Sequence, residues 1–292
     1  MKIIRVFPRR TNQTPDDDMA FVGDPGLFLP EADEVHVSVT FSWDKSEGER
    51  LAAAWGKHYG NIKIGGPAYG DPGHTFTAGM YVKHGVTFTS RGCPNRCWYC
   101  FVPKQEGPLR EFKPIVPGHI VQDNNLLACS QAHFDAVCEM LSSQRAIELS
   151  GGLEARRLTA WHANRLRALS MLQVFLAYDK PSQRDDARRA IDLLRTVGFS
   201  QRQARCFVLM GFPGDTLQAA NQRATDVLLW GGCPYAMYYQ DGDGIGRPEP
   251  EWHDLVREYS RPAAMADRME PFLEADEECE VQPNLPGVCP EK

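Results

Sequence analysis

Three cysteines fall close together in Thr89-Ser-Arg-Gly-Cys93-Pro-Asn-Arg-Cys97-Trp-Tyr-Cys100-Phe, a C-x3-C-x2-C spacing on a loop punctuated by Gly92 and Pro94. Thiolates are nucleophiles and metal ligands, and three on one short loop can surround one metal centre. A structural zinc site closes its tetrahedron with four protein ligands, and no second C-x2-C or H-x3-5-H pair stands downstream. A ferredoxin-like cluster also takes four cysteines. Three without an evident fourth suggest a four-iron cluster with one iron open to an exogenous ligand. The competing reading is a non-catalytic zinc or iron-sulfur module, for interaction or electron transfer, with a fourth ligand such as His84 or Cys129. The remaining cysteines, Cys129, Cys138, Cys206, Cys233, Cys279 and Cys289, do not cluster, and Cys279 and Cys289 alone do not close a second centre.

With Tyr99 just before its last cysteine, the motif resembles the signature of the radical S-adenosylmethionine (SAM) enzymes. That resemblance implies that Cys93, Cys97 and Cys100 bind a 4Fe-4S cluster whose open iron takes the amino and carboxylate groups of SAM. It implies that an electron from the reduced cluster cleaves SAM to methionine and a 5'-deoxyadenosyl radical, which takes hydrogen from a substrate. A reductant such as flavodoxin or ferredoxin is the implied partner. The implied fold is α/β, a partial (β/α)6 TIM-like barrel with the cysteine loop after its first strand.

Alternating strand and helix patterns stand where that scaffold needs them. The first strand is 85–89. The second covers 118–125 and precedes a helix over 133–141 with Phe134, Val137 and Leu141 on one face. The third is 146–150, followed by Gly151-Gly152 and a helix opened by Thr159 as N-cap. The fourth is 172–177 with a helix over 184–197, stopped by Gly198. The fifth is 204–210, and Thr216 caps the helix that follows and ends at Gly231-Gly232. A sixth covers 234–239.

Polar residues after such strands face one common mouth and are the expected SAM contacts. Asp123, Asn124 and Asn125 stand where many family members carry a Gly/Glu motif for the SAM amino group, and here resemble the acidic variant of methylthiotransferase-like and cobalamin-type members. Glu154 offers a carboxylate to ribose hydroxyls and Arg156 a guanidinium to the SAM carboxylate. Gly211, in Gly211-Phe-Pro-Gly-Asp-Thr216, belongs to a loop that resembles the family's adenine-side loop, and Tyr99 is expected beside the adenine.

The chain of 292 residues carries 38 acidic against 32 basic side chains and 42% hydrophobic residues. With a mean hydropathy of -0.40, it has no apolar run of membrane length. Arg9 and Arg10 after a short apolar stretch are unlike an export signal, so a cytoplasmic protein is expected. Three parts are expected: a small α/β extension over 1–80, the core barrel over 81–245, and an acidic extension over 246–292. In the first part, 34–43 reads as a strand, 48–59 as a helix and 61–66 as a strand, like a shortened form of the module preceding the barrel in cobalamin-type members. The Asp-x-His-x-x-Gly signature is absent and no cobalamin is expected. The run Glu274–Glu280 reads as a solvated face or tail, and 241–246 as a loop.

Residues 145–205 carry twelve Lys/Arg against six Asp/Glu, with Arg184, Arg188, Arg189 and Arg195 expected on the barrel exterior. No appended RNA-binding barrel is visible. The chain resembles short single-barrel radical SAM proteins of phage and prophage genomes, over roughly 85–240. A nucleic-acid base or nucleotide is therefore the first substrate expectation, and a peptide or small metabolite the next.

Overall fold

The computed structural model describes residues 1–70, 76–241 and 249–261, with 265, 268 and 269. Two parallel sheets organise them. The first joins β1 (Ile3–Phe7), β2 (Ala20–Val22), β3 (Glu34–Ser38) and, after helix α1 (Lys45–Trp55), β4 (Ile62–Gly65), in the order β2-β1-β3-β4. Ile4, Val6, Val35, Val37, Leu51 and Trp55 form its core. The expected strand over 34–43 ends at Ser38 because Ser42–Asp44 already turns into α1, which starts and ends earlier than expected. Neither β1 nor β2 is evident as a periodic pattern. β1 has five residues and carries Arg5 in its middle, buried, where it donates to the carbonyls of Gly79 and Met80 (both 3.2 Å) and pairs with Asp17. That bond ties the segment leading to the second sheet back onto the first.

The second sheet begins with β5 (Val86–Thr87). Next come the hairpin strand β6 (Ser90–Arg91), the short helix α2 (Val102–Gln105), and β7 (Arg110–Glu111), antiparallel to β6. The sheet continues with β8 (Ile120–Val121), α3 (Gln131–Ser142), β9 (Ile147–Leu153), α4 (Ala160–Arg167), β10 (Met171–Ala177), α5 (Arg184–Thr196), β11 (Ala204–Met210), α6 (Leu217–Leu229) and β12 (Cys233–Tyr238). Its six strands are all parallel, and their spatial order repeats their chain order from β5 to β12. Parallel neighbours require crossover connections; α3 to α6 supply four of the five, and the segment with β6, α2 and β7 makes the one from β5 to β8.

Alternation along β11 shows how the sheet is covered. Ala204, Cys206, Val208 and Met210 are fully buried, while Arg205, Phe207 and Leu209 between them are partly accessible. One face thus packs against helices and the other is half open. Ser130, Thr159 and Thr216 cap α3, α4 and α6, each accepting from a backbone amide of the first turn. The last two caps agree with the sequence reading.

Several boundaries differ from expectation, beginning with the first strand, which is Val86–Thr87 rather than 85–89. The second strand is two residues long, so Asp123, Asn124 and Asn125 belong to the loop after it. The third runs on through Gly151 and Gly152, where a β-carbon on Gly151 would lie 2.0 Å from the Asp123 carbonyl oxygen. The acidic extension is not wholly an appendage, because α7 (Pro250–Ser260) packs on the core through Trp252, Leu255 and Val256 and buries Tyr259. The acidic run 274–280, Cys279, Cys289 and residues 242–246 lie outside the described residues. Among the described residues no helix is long and apolar enough to cross a membrane.

Candidate functional site

The cysteine loop is rooted by a buried carboxylate. Asp123 accepts from the Thr89 amide (2.6 Å) and from the hydroxyls of Thr89 (2.5 Å) and Ser90 (2.7 Å), and all three residues are buried. One residue further on, Asn124 Oδ1 accepts from the Gly92 amide at 2.9 Å. Gly92 has φ +80°, and a β-carbon there would lie 2.2 Å from the Pro108 carbonyl oxygen, so only glycine lets the chain turn this close. The Cys93 amide then donates to Gly107 O (3.3 Å), and Cys100 N to Cys97 O (3.1 Å). Glu106 completes the root, pairing with Arg91 (3.1 Å).

From that root the loop reaches the end of every other strand of the sheet. Cys93 Sγ accepts from Asn125 Nδ2 (3.5 Å), after β8. Asn95 Oδ1 accepts from Arg156 Nη2 (2.8 Å), after β9. Tyr99 donates to Asp179, after β10. Trp98 packs edge-on against Phe212 after β11, with ring centres 5.7 Å apart, and against Tyr239 after β12 at 5.9 Å.

Glu154 is the hub on the β9 side, accepting from Asn125 Nδ2 and Arg157 Nε (both 2.7 Å) and from Arg156 Nε. Burial raises its carboxyl pKa, but bonds from Asn125, Asn95, Arg156 and Arg157 outweigh that and hold it below the usual carboxylate range. Arg189 keeps this turn in place by donating to Leu158 O (2.7 Å) and Ala155 O (3.0 Å). It is thus a positioning residue rather than plain exterior. Burial pushes the Cys100 thiol up, as do the neighbouring Cys97 and Cys93 thiols. Burial likewise raises Asp179 to about 6, and it raises the Tyr99 phenol together with the Asp179 and Cys97 charges.

The donor set distinguishes kinds of metal centre. In a single tetrahedral zinc site, Zn–S bonds near 2.3 Å put sulfurs about 3.8 Å apart. Among the described residues, the group whose ligand atoms all lie within 4.8 Å is Asp123, Cys129 and His133, without the three loop cysteines. In the Asp123 group the carboxylate is occupied by Thr89 and Ser90, His133 Nε2 lies 3.1 Å from Thr89 Oγ1, and burial pushes the Cys129 thiol up to about 12. This is a hydrogen-bonded brace under the loop.

A polar cofactor has one waiting acceptor. Asn125 Oδ1 is buried without a hydrogen-bond partner, on the side chain that donates to Cys93 and Glu154. A buried unpaired carbonyl oxygen is costly unless a ligand donor reaches it.

Of the residues expected to contact SAM, Asn125, Glu154, Arg156 and Tyr99 come together around the loop. Gly211 lies beside them at the end of β11, with φ +77° and its amide donating to Asp215 Oδ2 (3.0 Å). Asp123 does not join them, since its carboxylate is taken up by Thr89 and Ser90. Asn124 serves the loop root. Asp179, Phe212 and Tyr239 contact the loop as well, through its Tyr99 and Trp98, and Asn95 of the loop joins Arg156; Asp179, Phe212, Tyr239, Asn95 and Trp98 carry no sequence expectation as site residues. In sequence Asp179 has the same signal as Glu154, a carboxylate just past an apolar strand. No family model matches the chain, and no curated protein matches it.

Proposed function

We propose that the chain is a radical SAM enzyme, its six-stranded sheet a partial (β/α)6 barrel. The observation that carries this reading is the loop of Cys93, Cys97 and Cys100, rooted after the first of six sequential parallel strands and touching the ends of the other five. The three thiolates would hold a 4Fe-4S cluster. When bound with SAM, such a cluster supplies one-electron reduction of the sulfonium and, through it, hydrogen abstraction from a substrate.

The chain's own residues bind and orient. Asn125 Oδ1 is the acceptor suited to the SAM ammonium, and Arg156 is the guanidinium suited to its carboxylate. Glu154 fixes both side chains, its carboxylate taken up by Asn125, Asn95, Arg156 and Arg157. Tyr99, held by Asp179, and Trp98, between Phe212 and Tyr239, line one side of the site. A nucleic-acid base or nucleotide is the first substrate class, a flavodoxin or ferredoxin the electron donor, and the cytoplasm the compartment.

The test is anaerobic reconstitution with iron and sulfide, reduction, and electron paramagnetic resonance before and after SAM, with 5'-deoxyadenosine assayed in the same sample. A reduced-cluster signal that changes with SAM, with slow release of 5'-deoxyadenosine, is expected. One zinc without sulfide, or a cluster signal indifferent to SAM, would overturn the reading. Cys93→Ala, Cys97→Ala and Cys100→Ala should each lose the cluster and keep the fold, and a variant that retained the full cluster would remove that cysteine from the ligand set.

A further inference from the structure

Between the two sheets lies a cavity of about 780 Å³, within the ~300–1,000 Å³ usual for small-molecule sites. One wall is the C-terminal ends of β3 and β4, from His36 to Phe41 and from Lys63 to Pro67. The other is the root of the cysteine loop, Phe88, Arg91, Gln105, Glu106 and Phe112. Ligands of open parallel sheets bind outside the carboxyl ends of the strands, which is where this cavity lies. We propose that it is a binding chamber for an uncharged nucleoside.

The walls specify flat rings. Phe41, Phe76, Tyr81, Phe88 and Phe112 all line the space. Phe88 meets Phe76 edge-on, with ring centres 5.3 Å and planes 76° apart, and the Arg91 guanidinium lies 3.8 Å over the Phe88 ring, so one Phe88 face is covered and the two rings present faces that are nearly perpendicular. Tyr81 is held in the opposite wall. Its hydroxyl lies 2.5 Å from His36 Nδ1, while His36 Nε2 lies 2.8 Å from Glu34. An imidazole whose Nε2–H donates to a carboxylate keeps Nδ1 as an acceptor, and that fixes the phenol. Aromatic faces stack on bases of any sequence.

The remaining lining groups fit a hydroxylated, neutral periphery. Ser38, Thr40, Thr77 and Gln105 offer hydroxyls and an amide. The two basic side chains in the walls already have carboxylate partners: Lys63 Nζ lies 2.7 and 2.9 Å from the Glu34 oxygens, and Arg91 pairs with Glu106. A phosphate here would compete with a resident carboxylate for each cation. The site therefore selects a nucleoside over its phosphorylated form. Glu106 also touches the Gly92 amide (3.4 Å), so the chamber abuts the cysteine loop although no cysteine lines it.

Equilibrium dialysis of the full chain against each of the four ribonucleosides and their 5'-monophosphates, with saturating SAM present, tests this. Measuring before and after iron and sulfide are added separates it from the cluster reading, because the same binding is expected in both states. The expected result is saturable binding of at least one nucleoside at one per chain, with its monophosphate at least tenfold weaker. Phe88→Ala should weaken binding roughly tenfold or more by removing a stacking ring. Thr40→Trp and Thr77→Trp, at exposed wall positions, should fill the space and abolish binding with thermal unfolding unchanged. Failure of all four nucleosides to saturate, monophosphate binding as tight or tighter, or wild-type binding by both folded tryptophan variants would overturn the proposal.

Discussion

Asn125 and Asp179 show how single side chains set the properties of the site. Asn125 links a cysteine to Glu154 and leaves one buried oxygen unpaired. Asn125→Leu, close in size, removes that acceptor. Isothermal titration of the reconstituted protein should show SAM binding roughly tenfold weaker, the scale of one hydrogen bond to a charged group; unchanged affinity would take Asn125 out of the SAM site. Asp179 bears on stability. Its folded carboxyl sits at about 6 against an ordinary 3.8, so the folded state holds its proton more tightly than the unfolded chain. The associated stability is fully present below pH 3.8 and is lost as pH rises through about 6, by no more than about 3 kcal/mol. Asp179→Asn does not titrate, so urea unfolding should show the variant gaining on the wild type between pH 4 and pH 8. A constant difference across that range would contradict the assignment.

Secondary elements act here mainly by bringing loops close. Gly151 lets β9 run against the Asp123 backbone, and Asp123 in turn roots the cysteine loop. Gly151→Ala forces a methyl into the 2.0 Å approach to the Asp123 carbonyl oxygen. It should cost about 2–3 kcal/mol, as overpacking does, and lower the iron bound per chain; a urea midpoint and iron content equal to wild type would deny the coupling. Much of this scale was legible in sequence. The cysteine spacing, the strand 204–210 and the caps Thr159 and Thr216 rest on local patterns, and local patterns survive folding. The role of Asp123 did not show, because its partners Thr89 and Ser90 lie more than thirty residues earlier. A polar residue past an apolar pair looks the same whether it faces a ligand or braces a loop. β1 and β2 escaped for a related reason: strands of five and three residues are too short to show a period, and Arg5 breaks the apolar run with a contact made only in three dimensions.

Among the described residues of the whole molecule there are two hydrophobic cores with no residue in common, one within residues 4–68 and one within 121–269. Separate cores unfold as separate cooperative units when little joins them. Trp55 is fully buried in the smaller core, where it packs on Phe21 and donates to Gly23 O (3.0 Å). Trp55→Ala should lower stability there by about 3–5 kcal/mol. Hydrogen exchange is expected to show faster opening of β1, β3 and β4 with β9 to β12 unchanged. Uniform acceleration across both sheets would mean a single cooperative unit.

The strand order of the larger sheet also bears on synthesis. From β5 to β12 each strand lies beside the one made just before it, so no position waits between two neighbours for a strand still to be translated. A nascent chain can add each βα unit to the open edge left by the last, in the order the ribosome releases them. Until β12 arrives, that growing edge is the part of the molecule most in need of protection from other chains.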